Sequence, residues 1–237
     1  IDSTNNKAAE ADLLLGQGEA WFAEHQTAGR GRRGRSWISP YAQNIYFSLA
    51  WRFDAPLVRL AGLSLAIGAS LALLLQQQGL KGHGLKWPND LLWDKRKLAG
   101  ILVEVNGESE GPANAILGVG INLDMDLHQG QSIDQPYSSL AEAGLNVSRN
   151  NMAHELLSTC IQTCELFQRE GLSAFLDIWR GFDLFKGQPV RLLGPGQSHT
   201  GKYLGLADDG GLRLQEDATE RVYYAGELSL RLDHLHE

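Results

Sequence analysis

Cysteine, metal-spaced histidine, positive charge and long apolar runs are all scarce in this 237-residue chain, and each shortage removes a class of function. The only two cysteines, Cys160 and Cys164, stand four apart in a stretch that reads as helix. There they share a face and cannot bridge without distorting it, so they read as buried thiols in a reducing compartment. The seven histidines offer no metal spacing beyond His234 and His236 at the chain end. The apolar run Leu60 to Leu75 contains Gly62, Ser64, Gly68 and Ser70, and its 16 residues fall short of the about 20 that cross a bilayer. It reads as a core helix. No signal peptide opens the chain, and a cytoplasmic location without a membrane partner is expected. Lys and Arg number 21 against 28 Asp and Glu, a net charge of −7 that repels nucleic acid and anionic lipid, so any anion site must be local.

Against these shortages stands one excess, glycine, at 27 residues or about 11% where about 7% is usual. The length suits one or two domains, and 43% hydrophobic with 21% charged residues is ordinary globular usage. A helix is expected over Asn5 to Leu15 behind the polar triplet Asp2-Ser3-Thr4, and a strand over Trp21 to Gln26. Ile45, Phe47, Leu49 and Trp51 alternate as on a half-buried strand, and Leu60 to Gln78 forms the long helix. Gly84 to Trp87 is a short strand stopped by Pro88. Lys97 to Asn106 and Ala113 to Leu123 form a central hairpin with glycines inside both strands, which marks a bulge or a close approach to the backbone. Helices are expected over Ser139 to Ala143, Asn151 to Arg169 and Leu172 to Phe185. Short alternating stretches from Gly187 onward, split by glycine turns, predict a small β-barrel. The domains are therefore placed at 1–185 and 186–237.

Four motifs concentrate the chemistry. Gly29-Arg30-Gly31-Arg32-Arg33-Gly34-Arg35, followed by Trp37, puts four cations within six residues of an acidic chain. Its glycines let backbone amides approach an anion, its arginines fork onto carboxylate or phosphate, and Trp37 offers a stacking face. Lys86-Trp87-Pro88-Asn89-Asp90 projects Asn89 and Asp90 from a rigid strand end; the alternative, read alone, is an Asn-Asp turn leading into Leu91. Lys97-Leu98-Ala99-Gly100-Ile101-Leu102-Val103-Glu104 opens an apolar strand with a lysine, and Gly118-Val119-Gly120-Ile121-Asn122 lacks the context of a dinucleotide fingerprint.

Together, in this order, with Ser3-Thr4-Asn5 ahead and a small barrel behind, these motifs resemble the bacterial biotin protein ligases over essentially the whole chain. The resemblance implies an α+β catalytic domain, a mixed sheet flanked by helices of the class II synthetase type, followed by a small C-terminal β-barrel. It implies ATP-dependent formation of biotinyl-AMP with release of pyrophosphate, then transfer of biotin to a lysine of a biotin carboxyl carrier protein. By the family's pattern Arg30 and Arg32, with Gly29 and Gly31, screen the meeting of carboxylate and phosphate, and Lys97 holds one of their oxygens. Lys86 lies in the same binding set. Asp90 is the nearest carboxylate for Mg²⁺ or water, although no metal ligand set is assigned. Ser3, Thr4, Asn5 and Gln26 have the neutral chemistry that a ureido ring needs, and Gly100, Gly118 and Gly120 would let the ligand lie on the sheet. Trp37 would cover adenine, while Asn89, Asn122 and Arg231 would meet ribose or phosphates. The glycine loop, and a second segment from Asp124 to Tyr137, would act as lids that keep water from the adenylate.

The family's N-terminal DNA-binding domain is not found ahead of Ser3, so repression is not expected of this chain. The resemblance allows a homodimer through the sheet edge. Two other readings stand beside it. One is lipoate or another acyl group as substrate; the other is a single-stranded nucleic-acid module that uses the Arg-Gly loop, against which the net charge counts.

Overall fold

The computed structural model describes residues 1–107, 110–125, 135–194, 196–226 and 228–233. Residues 126–134, most of the expected second lid, lie outside the described residues, as do His234 and His236.

A six-stranded sheet forms the body. In chain order its strands are β1 (Gly18–Ala23), β2 (Ile45–Phe53), β3 (His83–Lys86), β4 (Asp90–Trp93), β5 (Arg96–Gly107) and β6 (Ala113–Ile121). Their spatial order is β1-β2-β6-β5-β4-β3. All neighbouring strands run antiparallel, and among the described residues parallel pairing is confined to the isolated bridges Leu85–Asp183 and Lys97–Tyr137. Helices α2 (Leu63–Gln77), α3 (Arg149–Glu170) and α4 (Ser173–Phe182) pack on one face, and the short α1 (Thr4–Ala8) lies on the other. The period-2 alternation of the strands sorts their side chains between these two faces. Phe47, Leu49, Ile101, Leu117 and Val119 go to the helical core, while Ser48, Gly100, Gly118 and Gly120 turn toward α1 and the glycine loop.

Several expectations need correction. β2 is buried on both faces rather than half-buried, because the N-terminal segment covers Ser48 and Ala50 while Pro40 and Asn44 engage the Tyr46 hydroxyl. The first helix is only Thr4–Ala8, leaving Leu14 and Leu15 exposed, and β1 begins at Gly18, three residues earlier than Trp21. There glycine is needed, since a Cβ would stand 2.6 Å from Trp51 Cε3 on the partner strand. Ser139 to Ala143 is a turn rather than a helix, too short to hold more than one turn's hydrogen bonds. Strand β4 falls in a stretch to which the sequence assigns no element.

Helix α2 with its lead-in, Leu57–Gln77, spans 21 residues and is apolar enough by length and composition to cross a membrane. In this fold it spends that surface on the core. Ala66, Ile67, Ala69, Leu71 and Leu75 are no more than 1% exposed, each large side chain gaining about 1.5–3 kcal/mol by burial. Cys160 and Cys164 are buried and unbridged on α3, and burial pushes both thiols up, Cys160 to about 12.

Between Phe182 and Pro189 the chain passes into a second antiparallel sheet, β7 (Pro189–Gly194), β8 (Gln197–Leu206), β9 (Leu212–Glu216), β10 (Thr219–Tyr223) and β11 (Ser229–Leu232). It is the small C-terminal β unit expected from Gly187 onward, ordered β10-β9-β8-β7-β11. Trp87 Nε1 donates to Gly210 O at 3.2 Å, tying the β3–β4 turn to this second sheet.

Candidate active site

The Lys-Trp-Pro-Asn-Asp motif is a hairpin with a three-residue loop, and its register places Lys86 opposite Asp90, with Gly100 opposite Asp90 on the other side. Lys97 reaches back over Gly100, whose absent Cβ leaves room: that atom would stand 3.2 Å from Lys97 Nζ. Lys97 Nζ meets Asp90 Oδ1 at 2.7 Å and Lys86 Nζ meets Oδ2 at 3.5 Å, with all three side chains 10–17% exposed. Burial pushes Asp90 up, but the Lys97 and Lys86 ammonium groups outweigh it and hold the carboxyl below its ordinary value. Both Asp90 oxygens are thus committed to lysines. Asp90, the carboxylate expected nearest to Mg²⁺ or water, is held here by two lysines, and among the described residues no three His, Cys, Asp or Glu are grouped around a common point.

Cations outnumber this carboxylate. Burial lowers Lys86, with Asp90 only partly offsetting it and with Arg231 and Lys97 lowering it further. Burial likewise lowers Arg32 and Arg231; Asp90 opposes both shifts, while Arg33 and Arg35 reinforce them. Six cationic side chains therefore feel one another around a single anion, an imbalance that an anionic ligand would relieve.

The glycine loop has its own hairpin order. Trp37 N–H donates to Gly29 O at 2.8 Å and Gly31 N–H to Arg35 O at 2.7 Å, and the tip turns through Arg33 and Gly34 at positive φ. Gly29 lies so close beneath Trp37 that a Cβ would stand 2.5 Å from its carbonyl oxygen. Arg32 donates to Asn89 Oδ1 at 3.1 Å and to the carbonyls of Ala225 and Gly226 at 3.0 and 2.7 Å, latching the loop to both sheets. Asn89 in turn donates to Ile101 O. Arg30 pairs with Glu104 and donates to Asn6, so in this structure its charge is answered by a carboxylate of the chain.

Trp37 lies flat on the sheet. A Cβ on Gly120 would come 2.6 Å from its ring and one on Gly100 2.8 Å, and Lys97 Nζ stands 5.3 Å from the ring centroid. The strand glycines expected to seat a ligand thus seat Trp37, and Gly118 seats Asn5, whose Oδ1 would be 2.2 Å from a Cβ there. All three still line the pocket beside them.

That pocket is neutral at its far end. Gln26 Oε1 accepts from Thr4 N–H and Thr4 Oγ1 at 2.8 and 3.1 Å, and Gln26 Nε2 donates to Ser39 Oγ. Ser48 Oγ donates to Asn5 Oδ1 and lies 2.7 Å from Thr4 Oγ1, while Asn5 Nδ2 donates to Glu104. Ser3, Thr4, Asn5 and Gln26 are at most 9% exposed. Ser48, Ser39 and Glu104 were missed from the sequence. Ser48 could have been noticed as the small hydroxyl between Tyr46 and Ala50 on the second face of β2, and Glu104 as the carboxylate ending the Lys97 motif.

Three hollows converge. The neutral pocket, a second beside Lys86 and Asp90, and a third bounded by Asn122, Tyr137 and Arg231 all share Trp37 and Lys97. Asn122 reaches the third hollow, but its Nδ2 is spent on Lys97 O and Ser138 O, holding the strand that carries Lys97.

Fold and site together define a two-sheet ligand-binding protein whose cleft is neutral at one end and cationic at the other. Residues 1–122 match the family described as Biotin/lipoate A/B protein ligase family, and residues 185–231 match the Biotin protein ligase C terminal domain. The chain is 40% identical over 231 residues to the bifunctional ligase/repressor BirA of Escherichia coli (strain K12), a match covering 98% of this chain and 72% of that protein. It is 32% identical over 234 residues to a biotin–[acetyl-CoA-carboxylase] ligase of Paracoccus denitrificans, covering 96% of each. The biotin protein ligase from Aquifex aeolicus, solved in complex with biotin and ATP, superposes with TM-score 0.78 at 28% identity, over 98% of this chain and 96% of that one. The chain belongs to the biotin/lipoate A/B protein ligase family.

Proposed function

We propose that this protein is an ATP-dependent biotin protein ligase. A biotin carboxylate oxygen bonds to the α-phosphorus of ATP and pyrophosphate leaves; the amine of a carrier-protein lysine then bonds to the biotinyl carbonyl carbon and AMP leaves. The observation that carries this reading is the junction at Lys97 and Trp37, where a neutral hydrogen-bonding pocket opens into a hollow of unbalanced cations. The ureido ring occupies the Thr4–Asn5–Gln26 end. The carboxylate then reaches Lys97, and the phosphates lie against Arg32, Lys86 and Arg231. Cations held in place before the reaction stabilise the charge that gathers on the oxygens around phosphorus. Asp90 acts through Lys97 as a positioning residue.

Magnesium bound with the triphosphate would supply charge neutralisation at its oxygens, and Asp90 would be the nearest carboxylate of this chain to it or to its water. The acceptor is a biotin carboxyl carrier domain. The cytoplasm, where ATP and reduced thiols coexist, is the compartment, and the boundary near Phe185 divides ligase body from C-terminal unit. Exchange of labelled pyrophosphate into ATP tests the reading: exchange should require biotin and should not be supported by lipoate. Absence of biotin-dependent exchange overturns it.

A further inference from the structure

The neutral end of the pocket is held together by one charged side chain that the ring chemistry itself does not require. Glu104 stands on β5 four residues beyond Gly100, and so on the face that lines the pocket. Its Oε2 accepts from Asn5 Nδ2 at 2.7 Å, its Oε1 pairs with Arg30 Nη2 at 2.5 Å, and Arg30 Nη1 donates to Asn6 Oδ1 at 3.1 Å. One carboxylate therefore ties α1 to the glycine loop, the two walls that face each other across the ring end.

We propose that Glu104 is a positioning residue that sets the specificity of this site for a ring bearing N–H donors, an inference that rests on the biotin ligase reading. A carboxylate only accepts, so it fixes the Asn5 amide with Nδ2 outward and Oδ1 turned back over Gly118. Ser48 donates to that oxygen, which retains a second lone pair for a ligand N–H. A flipped amide would set its oxygen against the carboxylate and its NH₂ against the ligand N–H. A ring without N–H groups would leave that second lone pair unused and forfeit the hydrogen bond, the difference by which such a site favours its ligand over close analogues.

Glu104 also answers the charge of Arg30. With that charge cancelled at the ring end, the unbalanced cations lie only at the Lys97 end, and a substrate with a neutral head and an anionic tail is bound in one direction.

Pyrophosphate exchange with Glu104→Gln and Glu104→Asp tests this. The Gln variant keeps one acceptor but loses the charge and the enforced amide orientation. Its biotin KM should rise about tenfold or more, while kcat and the KM for ATP stay within about twofold, and its preference for biotin over lipoate should shrink. Glu104→Asp, retaining the charge, should recover part of the preference. A biotin KM within about twofold of wild type overturns the proposal, as does a joint loss in both KM values and kcat with a lowered melting temperature, which would mark a merely structural residue. Wild-type protein without biotin-dependent exchange would instead overturn the ligase reading, and this inference with it.

Discussion

Asp90 shows how a hairpin's register decides a side chain's partners. Expected beside Mg²⁺ or water, this carboxylate is made a hub for two ammonium groups by the register and the reach of Lys97. Replacing Asp90 with Asn leaves two mostly buried lysines facing only other cations. Breaking one side of a buried pair costs about 3 kcal/mol, or roughly 6–12 °C in Tm for a chain this long. The pH dependence has a definite sign. The folded carboxyl lies below its ordinary value, so its contribution is fully present above about pH 4 and is lost as pH falls through the folded value. Urea melts should therefore show a wild-type advantage over Asp90→Asn that is constant near neutrality and closes below about pH 4. An advantage that persists undiminished to pH 3 would mean that packing, not charge, holds Asp90 in place.

The elements were more legible than the contacts between them. The central hairpin, the long apolar helix and the late change to short strands were all readable, because each depends on local periodicity and turn residues. β4 was not, since a four-residue strand after a three-residue loop carries too little pattern. The interior glycines were seen to need a close neighbour, but not which one. Sequence cannot tell a ligand from an indole lying on the same strands. The neighbours now separate the glycines by function. Gly118→Ala drives its Cβ into Asn5 at the ring end, so biotin KM should rise about tenfold with kcat little changed. Gly100→Ala drives into Trp37 and crowds Lys97, so kcat for exchange should fall about tenfold while biotin KM moves less. Steady-state kinetics of both variants settle it, and identical changes in the two would show that the sheet moves as a unit.

At the scale of the whole molecule, the net charge of −7 and the basic loop pull in opposite directions, and the structure shows how they are reconciled. Of the four loop arginines, Arg30 is answered by Glu104 and Arg32 is bound to Asn89 and two carbonyls of the C-terminal unit. Arg30 is exposed but paired, whereas Arg33 and Arg35 are exposed and face the cleft's own cations. A nucleic-acid strand crossing this surface would gain at most two phosphate contacts from the loop while meeting the field of an acidic protein. Two contacts release few counterions, giving a salt slope near −1.4 for a single strand. A labelled single-stranded oligonucleotide should therefore bind this chain more weakly than about 0.1 mM at about 0.15 M salt, by fluorescence anisotropy. Micromolar binding with a steep salt slope would show that the loop leaves the cleft and serves polyanions. Weak binding with that shallow slope would mean that the cations are spent inward, where one carboxylate leaves a local charge for a nucleotide to fill.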